Sequence, residues 1–331
     1  MKKKLMVFFM LMAMALASLT GCQDGTVGKT KVTLNEVAHS VFYAPMYVAL
    51  EEGYFAEEGL EVNLVTGFGA DKTMTALLSG EADIGFMGPE TTLYTYQGDI
   101  EDYAVNFAQL TQRAGNFLVG RQKEENFSFA DLKGKQVLGG RAGGMPQMVF
   151  EYILKKNGLD PATDLTIDQS IDFGSTAAAF SGGQGEYTIE FEPHATLLEQ
   201  KGDGYVLASL GEESGYVPYT AFSAKKSYIE ANPQIMEAFV AGLQKGMEYV
   251  NSHTPEEIAA LLKPQFEEME ESTLAAIIAR YQSQDSWKTD LVFEQEAFEL
   301  LQDILIDANV LEERLPYENL VNTEFAGRVK E

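Results

Sequence analysis

The chain has 331 residues, with 24 Lys and Arg against 50 Asp and Glu, and a single Cys. That length allows about two domains of ordinary size, and a formal charge of −26 excludes nucleic acid as a partner, because binding phosphates needs a basic footprint. One Cys excludes an internal disulfide and any Cys-based metal site.

Lys2, Lys3 and Lys4 form a positive start, and residues 5–19 are uncharged. That run is short for a membrane span, which needs about 20 apolar residues. Residues 1–21 therefore read as a secretory signal, apart from the fold. Leu19-Thr20-Gly21-Cys22 resembles the bacterial lipobox, in which the Cys is diacylated and becomes the new N-terminus. Cys22 is accordingly the expected lipidation site; the alternative is an ordinary signal with a chance Cys. Removing residues 1–21 takes away three Lys and no acid, leaving 21 against 50, a balance of −29. Such a surface is not drawn to anionic lipid, so two acyl chains would hold the protein at the membrane. Residues 22–30 are polar and Gly-containing, and read as the lipid-anchored tether.

Residues 31–37 alternate and predict a strand. Residues 45–58 carry apolar residues at helical spacing up to Gly59, and 60–65 predict a second strand. Asp71 is placed to cap a helix over 71–79 that ends at Gly80. Residues 82–87 predict a third strand, and Pro89 the first position of another helix, where its missing N–H costs nothing. The rhythm recurs with a strand at 135–140, a helix at 146–157 closed by Gly158, and a strand at 165–170. A short helix at 175–181 and a strand at 186–191 follow, and Pro193 opens another helix. The pattern predicts an α/β layer with a largely parallel sheet. The tail is helical by pattern over 232–252, 255–265, 272–281 and 293–308, and is expected to pack around one lobe.

Two stretches resemble each other. Leu78-Ser79-Gly80, Asp83, Phe86-Met87-Gly88-Pro89 and Thr92-Leu93 match Phe180-Ser181-Gly182, Glu186, Ile189 to Pro193 and Thr196-Leu197. Two related lobes would explain this, each offering a strand end and a helix start; so would the recurrence of Gly and Pro at turns.

Further stretches carry a family likeness: Tyr43-Ala44-Pro45-Met46-Tyr47-Val48-Ala49, Glu52-Gly53-Tyr54-Phe55, Glu58-Gly59-Leu60-Glu61-Val62, and Leu78 to Gly85. Arg141-Ala142-Gly143-Gly144-Met145-Pro146, Glu192-Pro193 and Ser223-Ala224-Lys225-Lys226-Ser227-Tyr228 follow in order. From about Val32 onward the chain thus resembles extracytoplasmic solute-binding proteins of ABC transporters, in the group named for sulfonate-binding proteins and the thiamine pyrimidine synthase. The resemblance implies a type II periplasmic-binding-protein fold, with two α/β lobes joined by two crossover strands and the ligand cleft between them. Mapped here, lobe 1 spans 31–115 and 220–331, lobe 2 spans 122–210, and the hinge crossovers lie at 116–121 and 211–219. It also implies a monomer that captures a small-molecule solute and delivers it to an ABC permease in the cytoplasmic membrane. No cofactor or metal is implied. The synthase of this group works with iron through a Cys-rich motif, which is absent here, so an enzyme is not expected.

Ligands of open α/β sheets bind outside the carboxyl ends of the strands, often between domains. That selects the loops at 39–46, 67–71, 87–90, 140–145, 173–175 and 190–194. Phe42 and Tyr43 either stack on a flat ligand ring or pack the first loop onto its lobe. Gly143 and Gly144, with Met145, either leave backbone N–H groups for an anion or polar oxygen, or form a plain tight turn. Asp71 is a helix cap first and a ligand contact second. Glu192, read as an N-cap before Pro193, is an unfavoured residue there, so a ligand is a candidate partner for its carboxylate; the helix dipole is the other. Glu190 alternates with Glu192 and is expected on the same side. Glu90, beside Gly88 in the first turn after Pro89, has the dipole as its plainer explanation. His39 and His194 are read as polar loop residues, and Trp287 as either bordering the cleft or covering the core.

Arg141 alone is basic in these loops, against Asp71, Glu90, Glu190 and Glu192. A sulfonate or nitrate would call for Arg or Lys. Carboxylates with aromatics better suit a donor-rich heterocycle, and among the family's ligands a pyrimidine precursor of thiamine, such as hydroxymethylpyrimidine or formylaminopyrimidine. The alternative is a sulfonate, taurine or nitrate held by the Gly-rich N–H groups.

Overall fold

A computed structural model describes residues 28–98, 100–139, 143–171 and 173–330. The signal segment, Cys22 and Arg141 lie outside the described residues. Two five-stranded sheets carry the fold. The first holds β1 (Thr30–Glu36), β2 (Leu60–Thr66), β3 (Ile84–Met87), β4 (Ala104–Thr111) and β10 (Thr220–Lys225). The second holds β5 (Asn116–Gly120), β6 (Gln136–Leu138), β7 (Thr166–Asp168), β8 (Tyr187–Phe191) and β9 (Tyr205–Ser209).

The strand orders, β2-β1-β3-β10-β4 and β7-β6-β8-β5-β9, follow one plan. In each sheet three strands are parallel, with β1 between β2 and β3 and β6 between β7 and β8. The fourth strand runs against them: β10 is antiparallel to β3 and β4, and β5 to β8 and β9. The expectation of a largely parallel sheet is thus corrected to two mixed sheets. The reason is the chain path: it crosses between the sheets at 112–115 and at 210–219, and the strand that enters each sheet from the other arrives reversed. The two similar sequence stretches fall at matching places, around β3 and β8, each the middle strand of its sheet.

Helices α1 (Ala44–Glu51), α2 (Tyr54–Glu57), α3 (Ala70–Ser79) and α4 (Glu90–Gln97) follow the strands of the first sheet. Helices α5 (Met145–Lys156), α6 (Thr176–Ser181) and α7 (His194–Lys201) follow those of the second, and α8 (Leu210–Ser214) lies in the return crossing. The C-terminal segment forms α9 (Lys226–Ala231), α10 (Pro233–Ser252), α11 (Pro255–Leu262), α12 (Glu271–Ser283), α13 (Gln295–Asp307), α14 (Tyr317–Leu320) and α15 (Glu324–Lys330). It reaches both sheets rather than packing around one lobe. Val321 bridges to Asn106 and Trp287 to Thr111, both on β4, while Lys155 of α5 holds Asp307 at 2.8 Å.

Three helix starts differ from the sequence expectation. Gly69, not Asp71, is the N-cap of α3, and Asp71 lies in its first turn. Pro89 and Pro193 are themselves N-caps, which makes Glu90 and His194 the first helical residues. Glu192 therefore stands one position outside its helix.

Small residues set the packing of α10 on the first helices. A Cβ on Gly246 would overlap the Pro45 carbonyl oxygen and come within 3.0 Å of the Ala49 Cβ. Backbone cannot yield as a side-chain tip can, so Gly246→Ala is expected to lower stability by about 1–3 kcal/mol. In an open helix the same change would stabilise. Chemical denaturation of the two proteins checks the sign.

Candidate ligand-binding site

Ser40 caps a single 3-10 turn, Val41–Tyr43, that leads directly into α1. The turn buries Phe42 and Tyr43. The indole Nε1–H of Trp287 donates to the Phe42 carbonyl at 2.8 Å, so the buried Trp287 braces this turn. Gly115 in the first crossing lets the Phe42 ring lie close, since a Cβ there would stand 2.7 Å from it. Four rings meet here. The centroid of Phe42 is 5.6 Å from Tyr43, 5.9 Å from Tyr219 and 6.2 Å from Phe191, and Phe191 is 6.0 Å from Tyr219. They come from the first loop, the return crossing and the end of β8, so the cluster joins both sheets.

Glu90 sits against this cluster, buried. It lies close enough to act electrostatically on the Tyr43, Tyr219 and Tyr94 hydroxyls, whose pKa values are raised by burial first and by acidic neighbours including Glu90 second. Burial raises the carboxyl itself to about 7, although its own backbone N–H opposes the rise. Gly88 makes room for it, since a Cβ there would overlap the carboxylate. Glu90 Oε2, the Tyr219 hydroxyl and the Tyr94 hydroxyl have no hydrogen-bond partner among the described residues. Buried polar atoms are nearly always paired, which makes this group a candidate for contact with a solute.

Asn116, the first residue of β5, is fully buried, and both atoms of its amide lack a partner among the described residues. It stands opposite Phe191 in the β5–β8 register, and cross-strand partners share a face. Glu190 lies on the other face, opposite Phe117. It accepts from the Thr188 hydroxyl at 2.7 Å and has His194 Nδ1 at 3.7 Å.

Glu192 has partners of its own. It accepts from the backbone N–H and the hydroxyl of Thr196, each at 2.9 Å, and from Arg280 at 2.6 Å. The Thr196 N–H is a helix-start donor, so Glu192 caps α7 from one residue further out than the cap position. Glu190 and Glu192 do not share partners, because β8 ends at Phe191 and the turn into α7 carries Glu192 to α12. Arg280 also holds Glu199 at 2.5 Å. Burial works against its charge, and the two carboxylates more than restore it. With Ser209 on Gln284 at 2.6 Å, these contacts tie the second sheet's layer to α12 and the turn after it.

The end of β1 holds a second acid. Glu36 is buried and accepts from the Tyr47 hydroxyl at 2.6 Å and from Thr66 at 2.8 Å. His39 Nδ1 lies 3.0 Å from Glu36 Oε1, and Nε2 lies 2.9 Å from the Gln265 carbonyl. Both partners are acceptors, and an imidazole donates twice only as imidazolium. The Glu36 hydrogen bond raises the His39 pKa above 6.5 against the effect of burial. A folded value above the unfolded one stabilises fully below pH 6.5 and fades as pH rises through the raised value. The melting-temperature advantage of the wild type over His39→Phe is therefore expected to shrink between about pH 5.5 and about 8.5.

The remaining expected positions fall elsewhere. Gly143 does not offer its N–H outward, because it donates to Gln147 Oε1 at 2.7 Å. Gly144 is the N-cap of α5, and Met145 is buried in the apolar core. Asp71 is exposed. Two surface cavities, of about 620 and 460 Å³, lie beside α5 and the edge strand β7 and between α10 and α15. Neither touches the aromatic cluster. Among the described residues, no group of three or more His, Cys, Asp or Glu is arranged to hold a metal, and no helix is long and apolar enough to cross a membrane. Sequence reasoning missed Asn116, Tyr219, Tyr94 and Arg280. A polar residue opening an apolar strand was the one signal, at Asn116.

The family described as NMT1/THI5 like matches residues 41–258. The chain belongs to that family. A fellow match, YtlA of Bacillus subtilis, is 45% identical over 94% of this chain and 93% of its own, and its name describes a binding protein without giving a ligand. The formylaminopyrimidine-binding protein of Halalkalibacterium halodurans is 23% identical over 82% of this chain and 84% of its own. Among solved structures, the alkanesulfonate-binding protein SsuA of Xanthomonas axonopodis pv. citri, bound to MOPS, superposes with a TM-score of 0.70. It covers 90% of this chain and 100% of its own at 16% identity. The NMT1/THI5-like chain thus has the periplasmic-binding-protein fold.

Proposed function

We propose that this protein is the extracytoplasmic solute-binding component of an ABC importer, and that it captures a small donor-rich heterocycle, best matched by a pyrimidine precursor of thiamine. The observation that carries the ligand reading is Glu90: a buried carboxyl whose Oε2 has no partner among the described residues, close enough to Tyr43 and Tyr219 of the ring cluster to act on their hydroxyls. Aromatic side chains of this kind stack on a flat ring, and a ring nitrogen on one edge of it matches a carboxyl that shares one proton with it. A sulfonate or nitrate has acceptors only and would oppose Glu90. Arg280, which such an anion would seek, is already paired with Glu192 and Glu199. The name of the Halalkalibacterium relative supports the same chemistry.

The expected hinge at 116–121 is taken up by strand β5, so the two lobes, 31–111 with 220–331 and 116–209, would move about the crossings at 112–115 and 210–219, a hinge closure around the solute. Ligand gripped by Glu90 on one side and Asn116 on the other shifts the population toward the closed form, which docks on a permease. Acylation of Cys22 would keep the protein at the membrane. A thermal-shift screen of the purified chain tests the ligand. The panel holds hydroxymethylpyrimidine, formylaminopyrimidine, thiamine, taurine, an alkanesulfonate and nitrate. Saturating ligand is expected to add about 3–4 kcal/mol, a shift of several degrees. A shift with taurine, sulfonate or nitrate and none with pyrimidines overturns the ligand choice and leaves the importer role standing.

A further inference from the structure

We infer that Asn116 and Tyr219 are the specificity-determining contacts of the cleft, and that they select a solute carrying a hydrogen-bond donor beside an acceptor on one edge. The inference rests on the ligand site proposed above and narrows it. Asn116 is fully buried, yet neither its amide oxygen nor its amide nitrogen is paired among the described residues. An orphan amide at the start of a strand is expensive to keep, and β5 needs no polar side chain at this place for its ladder. The hydroxyl of Tyr219, whose ring stands 6.0 Å from that of Phe191, the cross-strand partner of Asn116, is equally unpaired among the described residues.

The chemistry of the set defines the ligand edge. An Asn amide gives one donor and one acceptor in a plane. That pair reads an exocyclic amine next to a ring nitrogen, as it does on adenine. Tyr219 adds a third contact that can donate or accept. Glu90, across the ring cluster, takes another edge of the same solute. A nitrate or simple alkanesulfonate oxygen would satisfy the Asn116 nitrogen and leave its oxygen orphaned. The residues come from different sources: Asn116 opens the second sheet, and Tyr219 ends the return crossing. Both sit where the lobes meet, so the solute that pairs with them is read only in the closed form.

Calorimetric titration of the purified chain tests this with 4-amino-5-hydroxymethyl-2-methylpyrimidine, its analogue lacking the 4-amino group, taurine and nitrate. The wild type is expected to prefer the amino compound over the analogue. Asn116→Leu is expected to weaken the amino compound about thirtyfold and to bring the two pyrimidines together. Its ligand-free melting temperature should stay level or rise, because no internal hydrogen bond is lost; a purely structural Asn116 would lower it. Tyr219→Phe removes only an unpaired hydroxyl, so it guards against a misfolded Leu variant, and it is expected to weaken the amino compound about tenfold. Wild-type affinity in both variants overturns the inference while the pyrimidine site stands. Wild-type binding confined to taurine or nitrate, or to none of the probes, overturns both.

Discussion

Glu90→Gln is expected to keep pyrimidine binding and to remove its pH dependence. In the wild type the pair formed by a carboxyl and a neutral aminopyrimidine contains one proton, which either partner can hold. Below about pH 7 the Glu90 carboxyl already carries that proton in the ligand-free protein, because burial raises its pKa to about 7. Above that pH the proton must be taken from solvent, and affinity falls about tenfold per unit. Gln offers the same donor and acceptor without titrating, so the two proteins should bind alike near pH 6 and differ about a hundredfold near pH 9. The ligand-free proteins differ as well. A folded value raised from 4.5 to about 7 stabilises fully below pH 4.5 and is lost as pH rises through 7. At pH 8 the Gln variant is therefore expected to be the more stable, by about 3 kcal/mol. Calorimetric affinities across pH 6–9, with denaturation at pH 8, check both results. A parallel pH profile in the two proteins would remove Glu90 from the site.

Arg280→Met carries the second large effect. Glu192 has a fully buried side chain, and Arg280 is its cationic partner. Removing one member of such a pair leaves a buried charge exposed to no countercharge, which costs about 3–5 kcal/mol. The two Thr196 donors remain, so the lower end of that range, about 3 kcal/mol, is expected. Adding Glu192→Gln should recover most of the loss, because the double variant has no unpaired charge. The guanidinium also joins the second sheet's layer to α12, so the single variant should scatter as a more open particle. Thermal unfolding and small-angle scattering of the three proteins separate the parts: stability should return in the double variant, while compactness should not.

Much of the architecture is legible in the chain. β1, β2 and the helices between the parallel strands announce themselves by alternation, by 3.6-residue spacing, and by Gly80 and Gly158 at helix ends. β4 does not, because it is buried on both faces and carries Asn106 and Gln109 within an otherwise apolar run, so no alternation survives. The antiparallel strands were hidden for another reason: their direction is set by where the chain crosses, which no local pattern records. At the site, Phe42, Tyr43, Gly88 and Glu90 fall in loops that strand positions alone select. Asn116 and Tyr219 lie beside the crossings, where the loop rule does not look. Glu192 reads from sequence as held by a ligand or by the helix dipole; its partners are Thr196 and Arg280, the latter 88 residues away, and sequence spacing carries no information about such a contact.

Trp287 is the only tryptophan in the chain. Its indole N–H is bonded to the turn that carries Phe42, and its ring stands 6.1 Å from that of Tyr281, whose hydroxyl bonds to Gly115 in the first crossing. One chromophore therefore touches the Phe42 turn directly and the first crossing through a single neighbour. Its emission is a single-site signal, uncontaminated by other indoles, and any displacement of the turn alters the hydrogen bond that tunes its colour. For the solute site and hinge proposed above, the molecule would carry its own optical gauge of occupancy, and closure would be timed in a stopped-flow instrument without attaching a dye.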